Sequence, residues 1–266
     1  MPKKSSPQNT QLVLETTLLD PNFALAEIID PVLLTPIPNP AFATLIDPLG
    51  ALPGGAYDYA YVSKKASTPG KIEVGDSLES LNGIISTGNG KDVIDLSGST
   101  GNNLVYSGNG VDKVDGGAGN DMIFGQNGND ELKGEAGNDT INGGNGKDTL
   151  IGGQDTGMFS NAIDPTTGLA LFSFTAGDVL TGGKGPDTFH FKLGDGVDHI
   201  TDFRVRQDTL ELEGIALAQL QSLTVGGDLY IGLDDGAGGL LANSVIRIDG
   251  VTDINTLLNS QSILFV

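Results

Sequence analysis

The chain has 266 residues and carries 34 acidic against 14 basic side chains, a formal net charge of −20. Such an excess repels nucleic acid and anionic membrane surfaces, and no apolar run approaches a membrane span, so neither nucleic-acid binding nor membrane insertion is expected. With no cysteine, disulfides and thiol chemistry play no part, while the acidic surplus suits a binder of divalent cations.

Residues 1–70 are rich in proline and aliphatic residues. Asp-Pro recurs at Asp20-Pro21, Asp30-Pro31 and Asp47-Pro48, and these prolines interrupt any long helix. The segment is expected to be a largely irregular leader, with room for short helical pieces such as 23–29, or a docking segment for a partner or for the flank of the next domain. Lys3 and Lys4 precede Leu12-Val13-Leu14, but Glu15, Thr16 and Thr17 cut that run short, so no cleavable signal peptide is expected. Residues 71–85 are expected to cap the N-terminal end of the repeat region.

From about Thr87 to Thr201 the chain repeats every nine residues as Gly-Gly-x-Gly-x-Asp-x-U-x, with U a large aliphatic residue or Phe. The clearest units begin at Gly116, Gly125, Gly134 and Gly143. Earlier units run from Thr87 to Asp95 and from Ser107 to Asp115. Between them Gly98 to Tyr106 is degenerate, with Asn103 where Asp should stand, and a site there is expected to be weak or empty. A further unit is split. Gly152-Gly153-Gln154 starts it and Gly177-Asp178-Val179-Leu180-Thr181 finishes it, and the residues between read as a hairpin inserted at 155–176. Gly182 to His190 resumes the register, and Leu193 to Thr201 is a worn copy with Asp198 and Ile200.

The physical reading of this unit is specific. Glycines at the first, second and fourth places permit positive φ and a sharp turn. The triplet x-U-x is a short strand whose middle side chain points inward. Ile94, Val105, Val114, Ile123, Leu132, Ile141, Leu150, Leu180, Phe189 and Ile200 keep that inward place, which a flexible glycine-rich linker would not do. Two nonamers make one turn of a right-handed parallel β-roll, with strands stacked about 4.8 Å apart. Asp side chains and turn carbonyls then converge along both edges between repeats n and n+2. An all-oxygen cage of that kind suits Ca²⁺. One inward side chain per nonamer is little apolar burial, glycine adds entropy cost, and stacked carboxylates repel. The chain is therefore expected to be disordered without calcium and rigid with it.

After Asp202 the pattern changes. Asp202-Phe203 and Asp208-Thr209-Leu210-Glu211-Leu212 resemble a strand that closes a roll. Alternating segments at 223–225, 229–233 and 245–248 point to an antiparallel β cap over 202–266, with a short helix capped by Asp253 and a strand-like apolar end at Ile263-Leu264-Phe265-Val266. The fold class is thus all-β: a calcium-stabilised right-handed parallel roll over 71–201, a C-terminal antiparallel cap and an irregular leader.

The nonapeptide array, the closing Asp-Phe…Asp-x-Leu-x-Leu and the apolar end resemble the C-terminal part of RTX (repeats-in-toxin) proteins, notably the β-roll of serralysin-type proteases. The resemblance implies Ca²⁺, several ions, as cofactor. It implies ligands by position: the carboxylates of Asp92, Asp112, Asp121, Asp130, Asp139, Asp148, Asp178 and Asp187, with turn residues Gly88, Gly90, Gly108, Gly110, Gly116, Gly117, Gly119, Gly125, Gly128, Gly134, Gly137, Gly143, Gly144, Gly146, Gly182, Gly183 and Gly185. Asp198 is left out, because Leu193 and Asp195 replace expected features. It also implies export by a type I ABC transporter through an uncleaved C-terminal signal, and folding outside the cell.

The chain departs from serralysins in having no His-Glu-x-x-His motif. His190 and His199 read as surface residues, and no Gly-x-Ser-x-Gly elbow is present. The expectation is a secreted, non-enzymatic calcium-binding protein with a structural or adhesive role at the cell surface or in the matrix. The alternative is a secretion and folding module of an extracellular enzyme or toxin, serralysin- or alginate epimerase-like, without its own catalytic site. An ice-binding roll would need a regular outward Thr/Asn ladder, which the mixed series Asp95, Tyr106, Asp115, Phe124, Lys133, Asn142 and Ile151 does not provide. For the hairpin, exposed Phe159, Phe172 and Phe174 suggest either a partner surface or a cover for the roll's edge.

Overall fold

Each nonamer forms a strand because its x-U-x triplet alternates sides while its glycine-rich half can only turn. The computed structural model describes residues 11–14, 59–62, 71–74, 82–163, 170–234 and 240–266. Successive units fall alternately into two parallel sheets. One sheet orders nine strands as Gln11–Leu14, Lys71–Val74, Val93–Asp95, Lys113–Asp115, Glu131–Ala136, Thr149–Gln154, Thr188–Lys192, Thr209–Glu213 and Ile263–Phe265. The other runs through Tyr59–Val62, Gly83–Ser86, Leu104–Tyr106, Met122–Gly128, Thr140–Asn145, Val179–Lys184 and Gly196–Ile200. It then continues into Leu240–Ile248, Asp228–Asp234 and Leu220–Val225. The fold is an all-β parallel roll with an antiparallel C-terminal cap.

The register lines up the inward residues. Ile94, Val114, Leu132, Leu150, Phe189, Leu210 and Ile263 are successive partners in one sheet. Ile85, Val105, Ile123, Ile141, Leu180, Ile200 and Ile248 are successive partners in the other. All of them are buried and belong to one continuous apolar cluster. Every inward position read from the repeat is therefore in the core. On the outer face Tyr106 and Phe124 stack with ring centroids 5.0 Å apart.

The N-terminal segment adds strands to both sheets. Strands Gln11–Leu14 and Tyr59–Val62 lie within the segment expected to be irregular, and Lys71–Val74 and Gly83–Ser86 extend the sheets where a cap was expected. An open parallel edge offers unpaired amides and carbonyls, and short aliphatic or aromatic stretches can add to it without the glycine repeat. The suggested helical piece at 23–29 and the Asp-Pro pairs lie outside the described residues.

The cap closes the other end. The meander Leu220–Val225, Asp228–Asp234 and Leu240–Ile248 is antiparallel, and its last strand pairs in parallel with Gly196–Ile200. Asp202 accepts the amides of Gly182 and Gly183 at 2.8 Å each, while Phe203 packs on Phe189 at 5.8 Å between centroids. Asp253 caps helix Ile254–Ser260 by accepting the Asn255 amide at 3.0 Å, and Leu257 of that helix is fully buried. Ile263 is buried, whereas Leu264, Phe265 and Val266 are exposed.

The inserted segment is an antiparallel hairpin of Met158–Ile163 and Ala170–Thr175, with residues 164–169 outside the described set. Its aromatic side chains do not stand free. Phe159 is buried and lies 6.0 Å from Tyr230, and Phe174 meets Tyr230 edge-on at 5.4 Å. The cap offers Tyr230, Leu240 and Val245 as an apolar face, and the hairpin covers it. This is the edge-covering arrangement of the two readings for Phe159 and Phe174.

The stacked core predicts that truncation at its centre is costly. Leu132→Ala, measured by urea unfolding in calcium, is expected to lower stability by about 2–5 kcal/mol, as for other fully buried leucines. A loss below 1 kcal/mol would mean that the inward stack contributes little.

Candidate calcium ladders

Two files of aspartates run along the edges of the roll. On one edge the amide of Asp92 donates to Asp112 Oδ1 at 2.8 Å, that of Asp112 to Asp130 Oδ1 at 2.8 Å and that of Asp130 to Asp148 Oδ1 at 2.9 Å. Asp148 continues to Asp187 at 3.0 Å and Asp187 to Asp208 at 3.1 Å. On the other edge the amide of Asn103 donates to Asp121 at 2.6 Å, that of Asp121 to Asp139 at 2.7 Å and that of Asp139 to Asp178 at 2.7 Å. The short side chain at the sixth place caps the amide one full turn of the roll away, a role Asn103 also fills by accepting the Gly83 amide at 3.2 Å.

That bond uses only one carboxylate oxygen. Oδ2 of Asp112, Asp121, Asp130, Asp139, Asp148 and Asp178 is buried and has no hydrogen-bond partner. The first-position glycines show where these oxygens point. A Cβ placed on Gly116 would lie 2.7 Å from Asp121 Oδ2 and 3.0 Å from the Gly134 carbonyl oxygen. On Gly125 it would lie 2.7 Å from Asp130 Oδ2 and 2.6 Å from the Gly143 carbonyl, and on Gly143 2.5 Å from Asp148 Oδ2 and 2.8 Å from the Gly182 carbonyl. Carboxylate and carbonyl oxygens converge on a space that only glycine leaves open. Hard oxygen donors in that arrangement fit Ca²⁺, and they are a poor match for metals that prefer nitrogen or sulfur.

The glycines thus divide their work differently from the sequence expectation. Positive φ occurs at second and fourth positions, as at Gly117 (φ 91°), Gly119 (φ 123°), Gly144 (φ 102°) and Gly146 (φ 149°), with Gln126 (φ 72°) and Glu135 (φ 77°) also serving at second positions. The first-position glycines Gly116, Gly125, Gly134, Gly143 and Gly182 are not among the positive-φ residues. Their missing Cβ makes room for the oxygens.

Electrostatics follow from this geometry. Burial, reinforced by repulsion between neighbouring carboxylates and partly offset by the donated amides, raises Asp112 and Asp148 to about 6 and Asp130 and Asp139 to about 7. Asp121 rises to about 8 by the same causes. Asp178 and Asp198 are tightly coupled, and burial raises both. A carboxylate of the unfolded chain titrates near 4. Without a cation the folded ladder therefore binds more protons than the unfolded chain between about pH 4 and 8, so its stability is highest in acid and falls as pH rises through that window.

Two residues supply built-in donors where the ladders end. Asn103 stands in the degenerate unit, and its Nδ2 donates to the Gly101 carbonyl at 2.9 Å and to the Gly116 carbonyl at 3.3 Å. Arg204 lies at the far end of the other edge. Its guanidinium contacts Asp187 Oδ2 at 3.1 Å and Asp208 Oδ1 at 3.3 Å and donates to the Gly185 carbonyl at 2.5 Å. Asp187 is thus in the ladder as expected, but its Oδ2 already meets a cationic side chain. From the sequence Asp208 reads only as part of the closing strand and Arg204 carries no signal, because both lie outside the nonamer. His190 and His199 are paired elsewhere, with Glu213 at 3.3 Å and Asp249 at 2.9 Å.

Two outcomes are expected. Calcium binding should release protons near pH 7, and affinity should rise from pH 5 to pH 8, as the ladder carboxylates give up their protons. Calorimetry in buffers of different ionisation enthalpy would register this, and a pH-independent affinity with no proton release would contradict it. Arg204→Gln removes the cation at Asp187, so equilibrium dialysis should count one more calcium per chain than in the parent, whereas an unchanged count would contradict the role given to Arg204.

Among curated proteins no sequence matches the chain. The solution structure of the AlgE6R3 subunit from the Azotobacter vinelandii mannuronan C5-epimerase is similar at 20% identity, covering 62% of this chain and 78% of that one with a TM-score of 0.33. The crystal structure of the extracellular lipase LipA from Serratia marcescens is similar at 15% identity, covering 75% of this chain and 40% of that one with a TM-score of 0.34. The model of the RTX calcium-binding nonapeptide repeat matches residues 95–123 and 124–158. The segment that builds the centre of both ladders is therefore an array of RTX calcium-binding nonapeptide repeats.

Proposed function

We propose that this protein is a secreted, non-enzymatic calcium binder that folds when it meets calcium outside the cell and then serves as a rigid structural or adhesive element at the cell surface or in the matrix. The observation that carries this reading is the set of buried ladder carboxylates Asp112, Asp121, Asp130, Asp139, Asp148 and Asp178, whose Oδ2 atoms have no partner, with glycine carbonyls converging beside those of Asp121, Asp130 and Asp148. Buried charge of one sign is costly unless it is paired. Bound calcium would supply the balancing charge, and the residues do the rest: Asp Oδ1 fixes each turn to the next, glycine leaves the space, and the inward aliphatics dock behind it.

The same argument supports the compartment. Extracellular calcium modules bind at roughly 10⁻⁴–10⁻³ M, far above cytosolic free calcium, so a roll of this kind stays unfolded during synthesis and folds after export. Unfolded delivery agrees with a type I ABC exporter, and a chain without cysteine needs no oxidative folding. Among the described residues the side chains that gather into a potential metal group are all carboxylates, donors that suit a hard divalent cation.

The test is far-UV circular dichroism of chelator-stripped protein through a calcium titration at pH 7.5. A cooperative gain of β signal at roughly 10⁻⁴–10⁻³ M calcium is expected. A chain that is equally folded in chelator, with no response to calcium, would overturn the proposal.

A further inference from the structure

The inserted hairpin breaks the repeat between its third and fifth places, and the break is filled by Asp155. The Asp155 amide donates to the Asp195 carbonyl at 2.9 Å. The fourth-position glycines Gly137 and Gly146 do the same to Gln154 at 2.8 Å and Lys184 at 2.7 Å. Asp155 thus takes a glycine's place in the turn and brings a carboxylate that no repeat unit has there.

This carboxylate changes the ladder. By the rule of the other turns, the Asp178 amide would donate to Asp198. It donates instead to the Asp155 carboxylate, which also accepts the Val197 amide at 2.8 Å and the Gly157 amide at 2.5 Å. Asp198 is displaced from its amide and stays buried at 3% exposure, with Oδ1 unpartnered. A Cβ on Gly152 would lie 2.7 Å from that oxygen and would also clash with Asp178 Oδ2. Ligand atoms of Asp155, Asp178 and Asp198 all lie within 4.8 Å of one another. Three carboxylates at such spacing are held together by a cation or by shared protons.

We propose that Asp155, Asp178 and Asp198 form a calcium site in which the inserted segment adds a carboxylate from outside the repeat pattern to two sixth-place aspartates, and the ion fastens the base of the hairpin to the roll. The proposal rests on the calcium reading of the ladders and extends it to a site with one more carboxylate. Its consequence is mechanical. The hairpin that starts at this site packs Phe159 and Phe174 against Tyr230, and Arg247 lies over the Phe174 ring at 5.6 Å. The ion would therefore set the hairpin in place on the cap, linking insertion, roll and C-terminal meander.

The experiment counts calcium ions on the full chain by native mass spectrometry and follows amide exchange of residues 156–175 in saturating calcium. Asp155→Asn and Asp198→Asn are each expected to lose one ion relative to the parent and to exchange faster in the hairpin, while the central repeats stay protected. Asp198→Asn breaks no amide bond, so it decides the matter if Asp155→Asn does not fold. An unchanged ion count with unchanged hairpin protection would overturn the site and leave shared protons as the account of the cluster. A parent chain that takes up no calcium would instead overturn the reading of the ladders themselves.

Discussion

The structure depends on how each ladder aspartate divides its two oxygens. One oxygen accepts the amide of the equivalent residue a full turn of the roll away, which ties successive turns edge to edge. In Asp112, Asp121, Asp130, Asp139, Asp148 and Asp178 the other is buried and unpartnered, and at Asp121, Asp130 and Asp148 it lies beside a glycine carbonyl. The first oxygen makes the fold regular and the second makes it incomplete. Burial, with repulsion between neighbouring carboxylates, raises these groups, so the cation-free ladder loses stability as pH rises towards neutral. On the proposed reading a divalent cation balances this charge through the second oxygens and leaves the amide bonds of the first in place, so the same residues serve fold and ligand.

The ends of the ladders follow the same logic with the chain's own groups. Asn103 offers a neutral amide to the Gly116 carbonyl, and Arg204 offers a guanidinium to Asp187, Asp208 and the Gly185 carbonyl. Both stand where the regular series stops, and each meets glycine carbonyls with a donor of the chain's own. Beyond Arg204 the apolar cluster broadens to include Phe203, Leu212, Ile231, Ile246 and Leu257. At this end the aspartate-lined turns give way to an ordinary packed core. The hairpin joins the two regimes, since its base touches the aspartates and its aromatic side chains rest on the cap.

Much of this was legible in the sequence, for a physical reason. A nine-residue period leaves one inward side chain per strand, so residues such as Ile123, Leu132 and Ile141 could be placed in the core by counting, and the Asp at the sixth place followed from the same register. The helix start at Asp253 was visible because an N-cap is a local signal. What was not legible depends on the third dimension. First-position glycines looked like turn formers, and only the convergence of oxygens on their Cα shows that they are spacers. Asp155 is separated from Asp178 by the whole hairpin, so no local pattern marks it as a neighbour. Arg204 looks like one basic residue in an acidic chain until its reach to Asp187 is seen. The strands at 11–14 and 59–62 carry no glycine signature, and they pair because a sheet edge is there to receive them.

The most direct test is a crystal structure grown in calcium, with data collected at a wavelength where calcium scatters anomalously. The account predicts anomalous peaks in file along both edges, each bonded to an Asp Oδ2 and to the glycine carbonyls that face it, and none between Arg204 and Asp187. Well-ordered ladders without such peaks, their carboxyl groups paired through shared protons, would contradict it.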